Sequence, residues 1–212
     1  MKKKNVIWLV SIAFLLLSSP VYSQIKLGFQ LGPNFTNPSV SDHFTRVYEI
    51  ESKTYLFGGI LFEFKINDMF YIQPEVSFLP KGFTLKVKPE YNPYGYDPHI
   101  QLIYNYYEVT ANVLSKFDID NLTPFLFAGP SLSFLSEASI KSPFIDREAE
   151  KVEKTDFSIN FGAGVEFSLS KSIDIFVIAR YSLGLTDIEQ DDTEVKTRGI
   201  ALAAGLKFFL LH

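Results

Sequence analysis

The chain has 212 residues, with 20 basic and 24 acidic side chains and no cysteine. The absence of cysteine excludes disulfide bonds and a lipoprotein anchor. The acidic balance argues against nucleic acid as a partner, because its binding requires concentrated lysine and arginine. The length suits a single domain.

The first 23 residues have the three parts of a Sec signal peptide. Lysines at positions 2–4 form a basic n-region, residues 6–17 an apolar h-region, and residues 21–23 a cleavage box. A membrane anchor is the alternative, but a spanning helix needs about 20 apolar residues. We therefore expect Sec export and a mature barrel domain over residues 24–212, with 17 basic and 24 acidic residues and a formal charge of −7.

Alternating apolar and polar residues predict eight β-strands in the mature chain. The clearest stretch is residues 157–169, where every odd position is apolar and every even position is polar or glycine. This period of two gives a strand one apolar face and one polar face. In chain order the strands are expected at about residues 25–36, 53–66, 69–88, 100–116, 124–138, 154–169, 173–182 and 196–210.

The predicted connections alternate between short and long. Short turns fall at residues 67–68, 117–123 and 170–171, whereas long polar connections fall at about 37–52, 89–99, 139–153 and 185–195. Short periplasmic turns with long extracellular loops are typical of outer-membrane barrels. The fold expected is all-β, an eight-stranded antiparallel up-and-down transmembrane β-barrel in the outer membrane. A soluble lipocalin-like barrel is the alternative, and its apolar faces would point inward.

The polar faces of the predicted strands carry a nearly balanced set of charges. An eight-stranded barrel is just wide enough for its side chains to fill it, and buried charges persist when they are paired and hydrogen-bonded. We therefore predict a charged plug, with a proton relay or narrow channel as the alternative. Its six bases and five acids, in or near the lumen, are Lys26, Glu63, Lys65, Glu75, Lys81, Glu108, Lys116, Glu166, Asp174, Arg180 and Lys207.

One long connection is rich in tyrosine, with Tyr91, Tyr94 and Tyr96 between prolines. Rigid amphipathic tyrosines are common in recognition surfaces. They are also common where loops meet lipid headgroups. The sequence leaves both interpretations open for this loop.

Catalytic motifs are absent from the sequence. It has no Gly-x-Ser-x-Gly elbow, His-Glu-x-x-His motif or phosphate-binding loop. We therefore expect a non-enzymatic protein without metal or cofactor. The alternative is an outer-membrane hydrolase or acyltransferase that uses His43 and His99 with Asp42 and Asp97, because all four fall in long loops predicted to share one rim.

Six segments in a fixed order resemble the PorT-like outer-membrane β-barrel family. They are residues 58–64, 72–76 followed by Lys81-Gly82, 124–130, 160–166, 180–185 and 205–208. The resemblance covers essentially the whole mature chain. It implies a Gram-negative outer-membrane barrel, surrounded by outer-membrane lipid and inserted by the barrel-assembly machinery. PorT is associated with type IX secretion, so an envelope or secretion-system protein is the partner that the resemblance suggests.

Overall fold

The structure is a computed structural model that describes residues 24–40, 46–92, 99–142, 145–149, 152–188 and 195–211. The predicted leader, residues 1–23, lies outside the described residues. Within them, no helix has both the length and the apolar character needed to cross a membrane.

Strands account for nearly all regular structure in the described residues. A single 3-10 turn spans Pro89–Tyr91. The strands are β1 Ile25–Thr36, β2 Ser39–Val40, β3 Tyr48–Lys65, β4 Phe70–Val87, β5 His99–Lys116, β6 Leu122–Ser142, β7 Ile145–Glu148, β8 Thr155–Ser170, β9 Ile173–Gly184, β10 Val195–Lys196 and β11 Arg198–Leu211. The eight long strands lie where alternation predicts them, but β3 begins five residues earlier and β6 ends four residues later than expected.

The eight long strands close into one antiparallel barrel. Around the barrel the order is β1, β3, β4, β5, β6, β8, β9 and β11, and β11 pairs with β1 to complete the circle. Closure leaves no unpaired strand edge within the barrel wall. The predicted eight-stranded up-and-down barrel is confirmed.

The barrel is apolar outside and polar inside. In β1, Phe29 and Leu31 are 46% and 56% exposed, whereas Gln30 between them is 5% exposed. The same parity holds in the other barrel strands, whose exposed large side chains point outward. An outward apolar band around a polar interior is the pattern of a transmembrane barrel. The lipocalin-like alternative is therefore wrong.

The two ends of the barrel differ. The short connections β3–β4, β5–β6 and β8–β9 lie at the end where β1 begins and β11 finishes. One of these turns is closed by Asn67, whose side-chain oxygen accepts hydrogen bonds from the backbone N–H groups of Met69 and Phe70 at 2.9 and 2.8 Å. At the opposite end β3, β4, β5 and β6 continue past the other strands; we call residues 48–52, 83–87, 99–103 and 139–142 the outer extension.

Candidate functional site: a lumen filled by ion pairs

Ten of the eleven charged residues predicted for the lumen are buried inside the barrel. The exception is Lys65, at the end of β3, which forms an ion pair with the exposed Asp68 at 2.9 Å. The hydrogen bond from this ammonium lowers the pKa of the Asp68 carboxyl. Lys65 thus lies at the mouth of the barrel and does not join the internal network.

Asp156 is the lumen charge that sequence reasoning missed. It is fully buried at the start of β8, on the same inward parity as Ser158 and Asn160. Alternation could have found it, because all three have even numbers in one strand. With Asp156 included and Lys65 excluded, the buried charges among the described residues are five bases and six acids.

The ion pairs nearest the short-turn end form a group of three lysines and three acids, which we call the inner network. Glu166 is central to it, since its carboxylate accepts from the ammonium groups of Lys26, Lys116 and Lys207 at 2.6, 2.8 and 2.8 Å. Its members are Lys26, Glu63, Lys116, Glu166, Asp174 and Lys207. Each lysine contacts at least two acids, so the charges compensate one another across several strands.

Glu63 bridges two of the same lysines. Its carboxylate oxygens accept from Lys116 and Lys207, each at 2.6 Å. Asp174 accepts from Lys26 at 2.7 Å and from the Ser168 hydroxyl at 2.8 Å. Removing one partner of such a pair leaves an uncompensated charge in a low-dielectric interior, which is strongly destabilising.

Inward aromatic rings pack against the inner network, a feature that sequence reasoning also missed. The Lys207 ammonium lies 4.8 Å from the ring centre of Phe176, and that of Lys116 lies 4.5 Å from Tyr71. Phe125 is within cation–π reach of both lysines. The lumen is thus filled by rings as well as by ion pairs.

A second group, the middle network, lies halfway along the barrel. Arg180 Nη2 donates to both carboxylate oxygens of Glu75 at 2.9 and 2.8 Å, and Nη1 lies 3.8 Å from Glu108. Glu108 also accepts from the Ser133 hydroxyl at 3.0 Å and the Asn160 amide at 3.3 Å. The Arg180 guanidinium therefore lies within ion-pair distance of two carboxylates. The second of these, Glu108, also accepts hydrogen bonds from neutral side chains.

Towards the long-loop end, the Asp156 carboxylate accepts hydrogen bonds from three side chains. It accepts from Lys81 at 2.9 Å, from the Thr197 hydroxyl at 2.7 Å and from the Thr186 hydroxyl at 3.0 Å. Thr186 and Thr197 lie near the two ends of the long connection between β9 and β11. The buried carboxylate thus ties that connection to the barrel wall.

An apolar cluster covers the same end. Phe83, Leu85 and Tyr104 belong to the inner face of β4 and β5, and they pack with Val152 and Ile188 from two long connections. All five side chains are buried. The described parts of these connections therefore fold against the barrel interior and cover its outer mouth.

Asp156→Asn is expected to loosen this cover. The neutral amide cannot form an ion pair with the Lys81 ammonium, so the variant should lose about 1.5–3 kcal/mol of stability, the range for hydrogen bonds to charged groups. Hydrogen–deuterium exchange around residues 184–188 and 195–197 should quicken. Thr186→Ser keeps the hydroxyl and serves as the control; unchanged exchange in Asp156→Asn would contradict this role.

The candidate loop residues fall mostly outside the described part of the chain. Tyr91 closes the 3-10 turn and is 55% exposed, but Tyr94 and Tyr96 are not described. His43, Asp42 and Asp97 also lie outside the described residues, while His99 begins β5 opposite Lys86. Among the residues that the structure covers, no three histidine, cysteine or acidic side chains are grouped to hold a metal ion.

Solved structures with similar folds are small outer-membrane barrels. Neisserial surface protein A is 19% identical, with a TM-score of 0.51 over 86% of this chain and 96% of that protein. Ail of Yersinia pestis is 16% identical, with a TM-score of 0.47 over 87% of this chain and 99% of Ail. The outer membrane protease OmpT from Escherichia coli is 9% identical, with a TM-score of 0.46 over 88% of this chain and 97% of OmpT.

No curated protein matches the chain. The family model described as outer membrane protein beta-barrel domain matches residues 18–190, which is most of the chain. The expected location in the outer membrane is confirmed by this match together with the shared fold. The chain therefore belongs to the outer membrane protein β-barrel domain family and resides in the outer membrane.

Proposed function

We propose that this protein is a non-enzymatic outer-membrane scaffold whose outer loops and rim bind an envelope or secretion-system protein. The observation that carries the proposal is the filled lumen. Ion-pair networks occupy the inner and middle barrel, and an apolar cluster covers the outer mouth. A filled barrel is poorly suited to transport, so the surfaces left for function are those that face the cell exterior.

Conductance across a planar bilayer tests the filled lumen. The refolded, leader-free protein is expected to insert stably and to give no current steps. Insertion is checked separately by heat-modifiable migration in electrophoresis. This control prevents a failure to insert from being mistaken for a lumen that does not conduct. Reproducible conductance from inserted protein would contradict the scaffold and favour a narrow channel lined by the same charges.

Site-specific photo-crosslinking tests the binding role. A photoreactive residue at the exposed Tyr91 is expected to form an adduct with an envelope protein in native outer membranes. The matched control is the same residue at Leu132, which is 38% exposed on the outward face of β6 and should react with lipid alone. Lipid adducts alone at both positions would contradict protein recognition through this loop and favour interfacial anchoring.

We further propose that the chain belongs to the PorT-like part of its family and assists protein secretion. The ordered segments quoted above support this narrower assignment, which the family match leaves open. Deleting the gene from the source cell should then reduce the secreted fraction of envelope-exported proteins. Normal secretion in the deletion strain would contradict the secretion role and leave the scaffold proposal standing.

A further inference from the structure

The middle network contains one more acid than base. Glu75 and Glu108 contact a single cation, Arg180, and all three residues are at most 2% exposed. In the described part of the chain the other buried charges balance, because the inner network has three lysines and three acids and Lys81 pairs with Asp156. The excess negative charge of the lumen therefore lies in the middle network.

Both carboxylates of the middle network accept hydrogen bonds. Glu75 accepts from Arg180 and, at 2.5 Å, from the amide nitrogen of Gln30. Glu108 accepts from the Thr110 hydroxyl at 3.3 Å as well as from the two neutral side chains described above. An ionised carboxylate only accepts hydrogen bonds, so these are the contacts of two charged groups. Because an uncompensated buried charge is strongly unfavourable, the network requires one further cation.

Three neutral oxygen atoms beside these carboxylates have no hydrogen-bond partner among the residues that the structure describes. They are Gln30 Oε1, Ser77 Oγ and Asn160 Oδ1, and the three residues are at most 5% exposed. Gln30 and Asn160 each donate from the amide nitrogen to a carboxylate, and Ser77 lies opposite Glu108 in the β4–β5 ladder. Buried polar groups of folded proteins nearly always have a partner. These oxygens therefore indicate a bound ligand.

We infer that the middle network binds one sodium ion beside Glu75 and Glu108. Hard cations take oxygen ligands, and this site offers carboxylate, amide and hydroxyl oxygens. One positive charge balances the excess, and the described residues contain no group of three histidine, cysteine or acidic side chains, the set that a divalent metal would favour. An eight-stranded barrel is just wide enough for its side chains, which favours sodium over the larger potassium ion. The expectation of a metal-free protein rested on sequence motifs, which do not show these oxygens.

Two nitrogen atoms of Arg180 fit the same ligand. Nε and Nη1 form no hydrogen bond to any described residue. A sodium ion that keeps water molecules presents water oxygens, which accept hydrogen bonds from such N–H groups. Water alone would satisfy these nitrogens but would leave the excess negative charge, so the charge distinguishes the ion from water.

The dependence of unfolding on sodium tests the inference. The refolded, leader-free protein is unfolded with urea in lipid vesicles at about 10 or about 300 mM sodium chloride, and choline chloride keeps the ionic strength constant. A ligand that binds only the folded protein lowers the equilibrium constant for unfolding. We expect that constant to fall at least about fivefold at the higher sodium concentration, as it does for a dissociation constant below about 60 mM. Potassium in place of sodium should have a smaller effect.

Three variants locate the effect of sodium. Glu108→Gln removes the excess charge, so its unfolding should no longer depend on sodium. Ser77→Ala removes one unpartnered oxygen but keeps the charge, and it should raise the dissociation constant for sodium at least about threefold. This small change keeps the test possible if Glu108→Gln does not fold. Glu137→Gln removes an exposed acid of β6 and should keep the full sodium dependence.

Equal unfolding of the parent protein in sodium and in choline would overturn the inference, and water or a proton would then complete the network. An unchanged sodium dependence in Glu108→Gln would also overturn it, because the ion would act elsewhere. An equal effect of potassium would overturn the choice of sodium. A bound ion adds to the filled lumen, so no current is expected in the bilayer experiment, and failure here would leave the scaffold proposal intact.

Discussion

Glu166→Gln is expected to destabilise the barrel by about 3–5 kcal/mol, the cost of breaking a buried ion pair by removing one partner. The amide keeps the size of the side chain but loses its charge. Three lysines, which approach the carboxylate at 2.6–2.8 Å, would then face only Glu63 and Asp174. Urea unfolding in lipid vesicles, followed by far-ultraviolet circular dichroism, measures the loss; residues 24–212 contain no tryptophan to serve as a fluorescence probe.

Two further variants separate charge from packing. Glu137→Gln changes an exposed residue of β6 and should alter stability by no more than about 0.5 kcal/mol. Combining Glu166→Gln with Lys207→Met restores the charge balance of the inner network and should recover part of the loss. If Glu166→Gln were as stable as Glu137→Gln, the inner network would not stabilise the barrel.

Gly162→Val is expected to cost about 3 kcal/mol, the upper part of the usual range for overpacking, or to prevent folding. Gly162 faces the lumen in β8 directly opposite Phe127 of β6. A Cβ atom at this position would lie 2.6 Å from the Phe127 ring and would also clash with the Ala179 carbonyl oxygen. Because both neighbours belong to paired strands, the backbone cannot move aside without breaking the ladder.

The adjacent residue provides the matched control for this substitution. Ala163 points outward from the same strand, so Ala163→Val should change stability by about 0.5 kcal/mol at most. Adding Phe127→Ala to Gly162→Val should relieve the ring contact and recover part of the loss. Refolding yield and urea unfolding measure all three variants, and equal stability of Gly162→Val and Ala163→Val would contradict the steric account.

The same glycine–aromatic pairing recurs elsewhere in the lumen. Phe125 lies opposite Gly164 in the β6–β8 ladder, and Phe176 lies opposite Gly205 in the β9–β11 ladder. In each case the missing side chain makes room for a ring that fills the barrel. Neither pairing could be predicted from the alternation, since it depends on which residues of two strands stand side by side.

Sequence alone determined the strands, their outward and inward faces and the end that carries the long loops. These features are local, because successive side chains of a strand alternate between its two faces and turn residues lie next to the strands that they connect. Residues 157–169 illustrate this, because their alternation of apolar residues with polar residues or glycine matches the outward and inward positions along β8. The lumen charges at Lys26, Glu63 and Arg180 were predictable for the same reason.

Only the tertiary structure decided which charged side chains form ion pairs and which strands extend past their neighbours at the outer end of the barrel. Lys26 and Asp174 are 148 residues apart in the chain yet form a hydrogen bond of 2.7 Å. Their meeting depends on strand register and on closure of β11 against β1, which no local pattern encodes. The same non-local pairing joined Lys81 to Asp156, which lie 75 residues apart, and carried β3 past the end of β1.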